Sequence, residues 1–222
     1  MVARDLDGAV VAVVGATGGL GRAITTALAG RGAMVVRCSR SSGPDTDVVV
    51  DLRDSTAGTV LVEHARTLHG RLDGVIVAAG IVAFGDLVDT DDVVIEELFL
   101  TNAMGPMWLA KHVVPALTES KGFFVNLSGV VAETPMPGMA AYSASKAAAA
   151  AATEAIRREF RRLGVTVIDV RPPHTETGLA TRPLAGTAPA MPTGLEPAAV
   201  AERVVAAIER DEKVVASSDF TD

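Results

Sequence analysis

Apolar residues along this chain fall into short, nearly unbroken runs. Between the runs lie longer stretches in which apolar residues recur every three or four positions. The short Val/Ile-rich runs predict strands at Ala9–Val14, Met34–Cys38, Val48–Asp51, Gly74–Ala78, Gly122–Leu127, Val165–Val170 and Lys213–Ala216. Runs without polar alternation mark strands covered on both faces, as in a parallel sheet. The longer stretches predict helices over Leu20–Gly30, Ser55–Leu68, Asp92–Leu117, Ala140–Leu163 and Pro197–Arg210. The last opens on a proline suited to a first turn, and its Val200, Val204, Val205 and Ile208 fall on one face. Alternating strands and helices predict an α/β fold built on a doubly wound parallel sheet of about seven strands, with helices on both faces. One connection departs from this rhythm. "SRSSGPDTD", Ser39 to Asp47, is too short and too rich in turn formers for a crossover helix, so a loop or single turn is expected there.

Composition narrows the picture. At 222 residues, 49% of them hydrophobic, the chain suits one well-buried core, and a single domain over residues 1–222 is expected. A net charge of −7 and the lack of a long basic run argue against nucleic acid or an anionic membrane as partner. No apolar stretch reaches the roughly 18 residues of a membrane span. The N-terminus carries charge where a signal peptide would be apolar. The single cysteine, Cys38, excludes an intrachain disulfide and a paired-cysteine metal site, so no metal is expected and a reducing cytoplasm is the expected location. The segment 178–195, rich in Pro, Gly and Thr, is expected to be a loop covering the substrate.

The chemistry begins at "VVGATGGLGR", which runs from the first strand into the first helix. Gly15, Gly19 and Gly21 let the backbone turn tightly and approach a pyrophosphate, and the helix N-terminus presents free N–H groups to it. Tyr142, the only tyrosine, precedes Lys146 by four residues on a predicted helix, so the two side chains share a face. A neighbouring ammonium stabilises phenolate and is expected to lower the tyrosine's pKa from near 10 toward the working range of an acid–base catalyst.

The G-x-x-x-G-x-G spacing and the Y-x-x-x-K pair resemble those of the short-chain dehydrogenase/reductase family, a family with a Rossmann-like fold. Val14 stands where that family usually has threonine. The resemblance runs from Val10 to about Ile208. It implies cofactor contacts from Gly15, Thr17, Gly18, Gly19, Leu20 and Gly21 in the loop. At the end of the second strand Ser39 occupies the family's acidic position and Arg40 follows. A guanidinium in place of a carboxylate favours NADP(H), with NAD(H) as the alternative. The family pattern further implies an adenine contact from Asp51-Leu52, for which the alternative reading is a turn or helix-capping role. Ala79 and Gly80 of "VAAG" match the end of the family's N-N-A-G and would lie under the cofactor ribose. "RPPHTET" resembles P-G-x-x-x-T, so Pro172, Thr175 and Thr177 are implied nicotinamide contacts. There Pro173 replaces glycine and removes an N–H. His174 beside it reads as structural or exposed, with catalysis the minority alternative.

For catalysis the resemblance implies Tyr142 as general acid/base, Lys146 as its partner and ribose ligand, and Asn102 of "LTNAMG" as support of a proton relay. The family's serine usually lies thirteen residues before the tyrosine, where this chain has Gly129. Ser128 lies fourteen before. At a strand end a shift of one residue sends a side chain to the opposite face. Three readings follow: Ser128 reaches the site by local rearrangement, Tyr142 with a backbone N–H or water polarises the substrate alone, or the protein binds cofactor with weak or no catalysis. The implied activity is hydride transfer between NADP(H) and a small carbonyl or alcohol substrate, in a homodimer or homotetramer.

Overall fold

The computed structural model describes residues 3–220. Seven strands form one sheet: β1 (Val10–Val14), β2 (Met34–Ser39), β3 (Val48–Val49), β4 (Gly74–Val77), β5 (Phe123–Leu127), β6 (Thr166–Val170) and β7 (Val214–Val215). Their spatial order is β3-β2-β1-β4-β5-β6-β7, and every pairing is parallel. The chain winds outward from β1 in one direction and then returns to wind outward in the other. The reversal between β1 and β4 leaves a crevice at the strands' C-terminal ends.

Six helices complete the layers: α1 (Gly19–Ala29), α2 (Ala57–His69), α3 (Asp92–Phe99), α4 (Gly105–Ser120), α5 (Ala140–Arg161) and α6 (Pro197–Glu209). Alternate residues of each strand divide between two cores. Val10, Ala12, Val14 and Val167 pack with Leu61 of α2, Leu109 and Val113 of α4, and Phe160 of α5. Val11, Val13, Ile168 and Val170 pack with Ile24 and Leu28 of α1 and with Val200 and Val204 of α6. Burial on both faces is why these strands read as unbroken apolar runs.

Two expectations need correction. The predicted helix Asp92–Leu117 is interrupted: α3 and α4 are joined by a π-helical turn at Leu100–Met104. The cause is tertiary, because Asn102 turns inward at the widened turn and bonds the backbone of Ile81, 21 residues earlier in the chain. The edge strands are also shorter than their apolar runs, with β3 covering Val48–Val49 and β7 covering Val214–Val215, since only those residues find ladder partners. The connection from β2 to β3 carries no helix, as its length and Gly-Pro content predict.

Candidate active site

The glycine loop packs so tightly that three of its positions admit no side chain. Gly15 has φ +88°, and a Cβ there would lie 2.6 Å from the Ala79 nitrogen. A Cβ at Gly19 would lie 2.6 Å from the Thr177 carbonyl oxygen, and one at Gly21 would overlap the Gly15 carbonyl. The loop is thus pressed between the ends of β1 and β4 and the segment after β6. It forms a cradle at the start of α1 in which the Gly15 and Ala16 N–H groups bond the Cys38 carbonyl and the Gly18 N–H bonds the Gly15 carbonyl, while Thr17, Gly19 and Leu20 border the crevice.

From this cradle a cleft of about 550 Å³ runs across the sheet's C-terminal edge. One end is bordered by Ser39, Arg40, Asp51 and Leu52, the middle by Ala79, Gly80 and Lys146, and the far end by Tyr142. Thr17, Gly18, Gly19, Leu20, Pro172, Thr175 and Thr177 also border it. Of the residues singled out in the sequence, Gly21 and Asn102 stand behind its wall instead. Gly21 shapes the loop. Asn102 accepts the Ile81 N–H at 3.0 Å, donates to the Ile81 carbonyl at 2.9 Å and donates to Ser145 Oγ at 3.0 Å. Ser145 in turn donates to the Tyr142 carbonyl at 2.7 Å. Asn102 therefore ties the end of β4 to the first turns of α5, where Tyr142 and Lys146 sit. A Cβ at Gly80 would lie 3.3 Å from both Asn102 Oδ1 and Lys146 Nζ, so the two side chains meet around that glycine.

Lys146 is buried, and its Nζ donates to the Leu127 carbonyl at 2.8 Å. Burial lowers its pKa to about 8, and the negative charge of Asp169 opposes that fall. Tyr142 is also buried, and desolvation pushes it up to about 12. The expected lowering of the tyrosine is reversed in the free protein. The lysine charge is committed to a backbone carbonyl, and losing water costs phenolate more than phenol.

Ser128 is fully buried, and its hydroxyl donates to Asp169 Oδ1 at 2.6 Å. It borders the cleft without offering it a free hydroxyl. Gly129 follows at φ +83°, a left-handed conformation that strains any L-residue, and a Cβ there would meet nothing within 4 Å. At the end of the cleft bordered by β2, Ser39 Oγ is engaged by the Ser41 carbonyl and Thr46, while Arg40 is exposed. Asp51 accepts the Arg53 N–H and pairs with its guanidinium at 2.7 Å, so its turn role is realised whatever else it contacts. His174 is half-buried at the cleft, its Nε2 3.4 Å from Glu176 Oε1.

The segment 178–195 closes over the far end. The Phe84 N–H bonds the Ala185 carbonyl and the Leu184 N–H bonds the Val82 carbonyl. Leu179, Ala180 and Ala185 pack on Val82, Phe84, Met139 and Tyr142, giving that end an apolar wall. Sequence reasoning passed over Ser145, Asp169 and most of this wall. The available signal for Asp169 was a lone acid inside the apolar run "VTVIDV".

The profile described as short chain dehydrogenase matches residues 9–185. A "dehydrogenase/reductase SDR family protein 7-like" of Anopheles gambiae is 29% identical, over 96% of this chain and 76% of its own length. The ketoacyl reductase HetN of a Nostoc species is 31% identical, over 92% of this chain and 76% of that protein. A short chain dehydrogenase of Burkholderia cenocepacia, solved in complex with NADP, superimposes with a TM-score of 0.84 at 26% identity. That match covers 98% of this chain and 93% of the other.

Proposed function

The chain belongs to the short-chain dehydrogenase/reductase family and is an oxidoreductase, and from that premise we propose that it reduces a small carbonyl compound, or oxidises the matching alcohol, with NADP(H). The observation that carries this reading is the joining of cradle and acid–base pair by one cleft. The glycine cradle fits a dinucleotide, because Gly15, Gly19 and Gly21 let the loop pack against Ala79, Thr177 and itself without side chains, which leaves a small-residue surface bordering the cleft at the start of α1. The bound nicotinamide supplies or accepts the hydride. Tyr142 lies over the apolar end and donates its proton to the carbonyl oxygen as the alkoxide forms. A phenol raised to about 12 is fully protonated at neutral pH, the state a general acid needs. Lys146 stabilises the resulting phenolate and binds the ribose hydroxyls. Asn102 holds the first turns of α5 in register with β4.

Arg40 favours NADP(H) in this reading, since it is exposed at the adenosine end next to Ser39 and can reach a 2′-phosphate. Arg40→Ala is expected to weaken NADPH binding about 10- to 100-fold, the worth of one charge-assisted contact, with little change for NADH. Fluorescence titration with both cofactors checks it, and equal losses for the two would remove Arg40 from the phosphate site.

The lysine adds a pH dependence. Its value of about 8 lies below the ordinary 10.5. The native state therefore sheds this proton first, and above about pH 8 the ammonium that serves the ribose and phenolate is lost. NADPH affinity is expected to be highest below about pH 8 and to fall above it. Titrations from pH 6 to 10 should show this limb in the wild type and not in Lys146→Met.

A second reading, cofactor binding with weak turnover, draws on one observation. Ser128 is spent on Asp169, and residue 129 has no side chain to polarise a substrate carbonyl. Turnover across a carbonyl panel decides between the two. The proposal extends to a cytoplasmic homodimer or homotetramer, with exposed Val93, Met104 and Met107 near α3 and α4 as the contact face. A monomeric mass in dilute solution would count against it.

A further inference from the structure

We propose that Asp169 is a positioning residue for the reaction, acting through Ser128 and the end of β5, and that its carboxylate, ion-paired with Arg171, also sustains the charge of Lys146 from beyond ion-pair distance. The role in the reaction rests on the reading of Lys146 given above; the charge coupling does not. Asn126 lies opposite Asp169 in the ladder between β5 and β6. Asn126 bonds Thr153 of α5, and Val167, two residues before Asp169, packs with Phe160 of α5. Asp169 and Ser128 are thus on the α5 side of the sheet, beneath the helix that carries Lys146.

Both Asp169 oxygens are engaged. Ser128 donates to Oδ1 at 2.6 Å and Arg171 Nε to Oδ2 at 2.7 Å. Arg171 reaches Glu133 at 3.2 Å, and Glu133 accepts the Ser217 hydroxyl at 2.6 Å. Lys146 and Arg171 on one side and Asp169 and Glu133 on the other make a balanced set of charges. Balance is what lets ionised groups persist away from water. The groups facing Lys146 come from several elements. They are Tyr142 from its own helix, the Gly80 backbone, the Asn102 amide, the Leu127 carbonyl and, from β6, Asp169. Asp169 is the one among them that brings negative charge.

The position of Ser128 follows from this role. The serine is a ligand of the carboxylate, and the carbonyl just before it is the acceptor of Lys146. The bond to Asp169 keeps the hydroxyl on the α5 side, and Gly129 follows at φ +83°. Asp169 thereby holds both the charge state of Lys146 and the backbone group that aims it.

The chain has four lysines, Lys111, Lys121, Lys146 and Lys213, so a protein labelled with 13C at lysine Cε gives a spectrum simple enough to titrate residue by residue. Lys146→Met assigns the Lys146 signal. In Asp169→Asn, which keeps the shape and hydrogen-bonding capacity, the Lys146 midpoint is expected to move from about 8 to lower pH by about one unit or more, with the other three unmoved. The alkaline limb of turnover should move with it. An unchanged midpoint overturns the proposal. If Asp169→Asn fails to fold because Arg171 is left unpaired, Asp169→Asn/Arg171→Gln removes both charges, and a smaller shift in the same direction is expected because a neighbouring cation is lost as well. Because the spectrum needs neither cofactor nor substrate, failure to bind NADPH would sink the oxidoreductase mechanism without touching the charge coupling.

Discussion

Tyr142→Phe is expected to lower carbonyl turnover about 10²- to 10⁴-fold while leaving NADPH affinity within about twofold, the range for removing a positioned general acid. The change deletes one oxygen from a buried ring that packs among Val82, Phe84 and Met139, so the shape of the cleft survives. The loss should fall on kcat, because the proton is delivered only as the alkoxide develops. The measurement is steady-state NADPH oxidation against whichever carbonyl in a panel the wild type reduces, alongside a binding titration. Undiminished turnover in the variant would remove Tyr142 from the chemistry. Loss of cofactor binding in parallel would mean that the phenol was holding the site together.

Gly15→Ala carries the second large effect. The residue sits at φ +88°, where an L-side chain is strained, and its Cβ would enter the Ala79 backbone at 2.6–2.7 Å. The two penalties share no relief, because β1 and β4 are ladder partners and cannot part. A destabilisation of about 2–4 kcal/mol is expected, from backbone strain together with overpacking. A fall in NADPH affinity should accompany it as the cradle distorts. Gly18→Ala is the control. Its φ of −75° suits alanine, and its Cβ would come no closer than 3.3 Å to the Gly15 carbonyl, so a cost below about 1 kcal/mol is expected. Urea midpoints for the two variants test the contrast. Equal midpoints would mean that the loop does not turn as described.

What was legible in the sequence depended on how local the signal was. The alternation of strands and helices follows from runs such as Val10–Val14 and the helical spacing of Val200, Val204 and Ile208, because burial of each element is written in its own residues. The glycine loop and the Tyr142–Lys146 pair were legible for the same reason, since each lies within a few residues of chain. The break between α3 and α4 was not. Nothing in "LFLTNAMG" signals a π turn by itself, and the turn forms because Asn102 finds Ile81, 21 residues away.

The same distinction governs the serine. The chain alone determined that residue 129 has no hydroxyl and that Ser128 is one place out of step with the tyrosine. Where that hydroxyl goes was decided by β6, whose Asp169 comes to lie beside it only once two strands distant in sequence are paired. Charge followed the same route. Spacing placed Lys146 next to Tyr142 and predicted a lowered phenol. Folding buried both groups, committed the ammonium to the Leu127 carbonyl and reversed the sign. Residue identity and spacing travel with the chain, whereas desolvation and counter-ions belong to the tertiary structure, because each depends on what other segments bring to the same small volume.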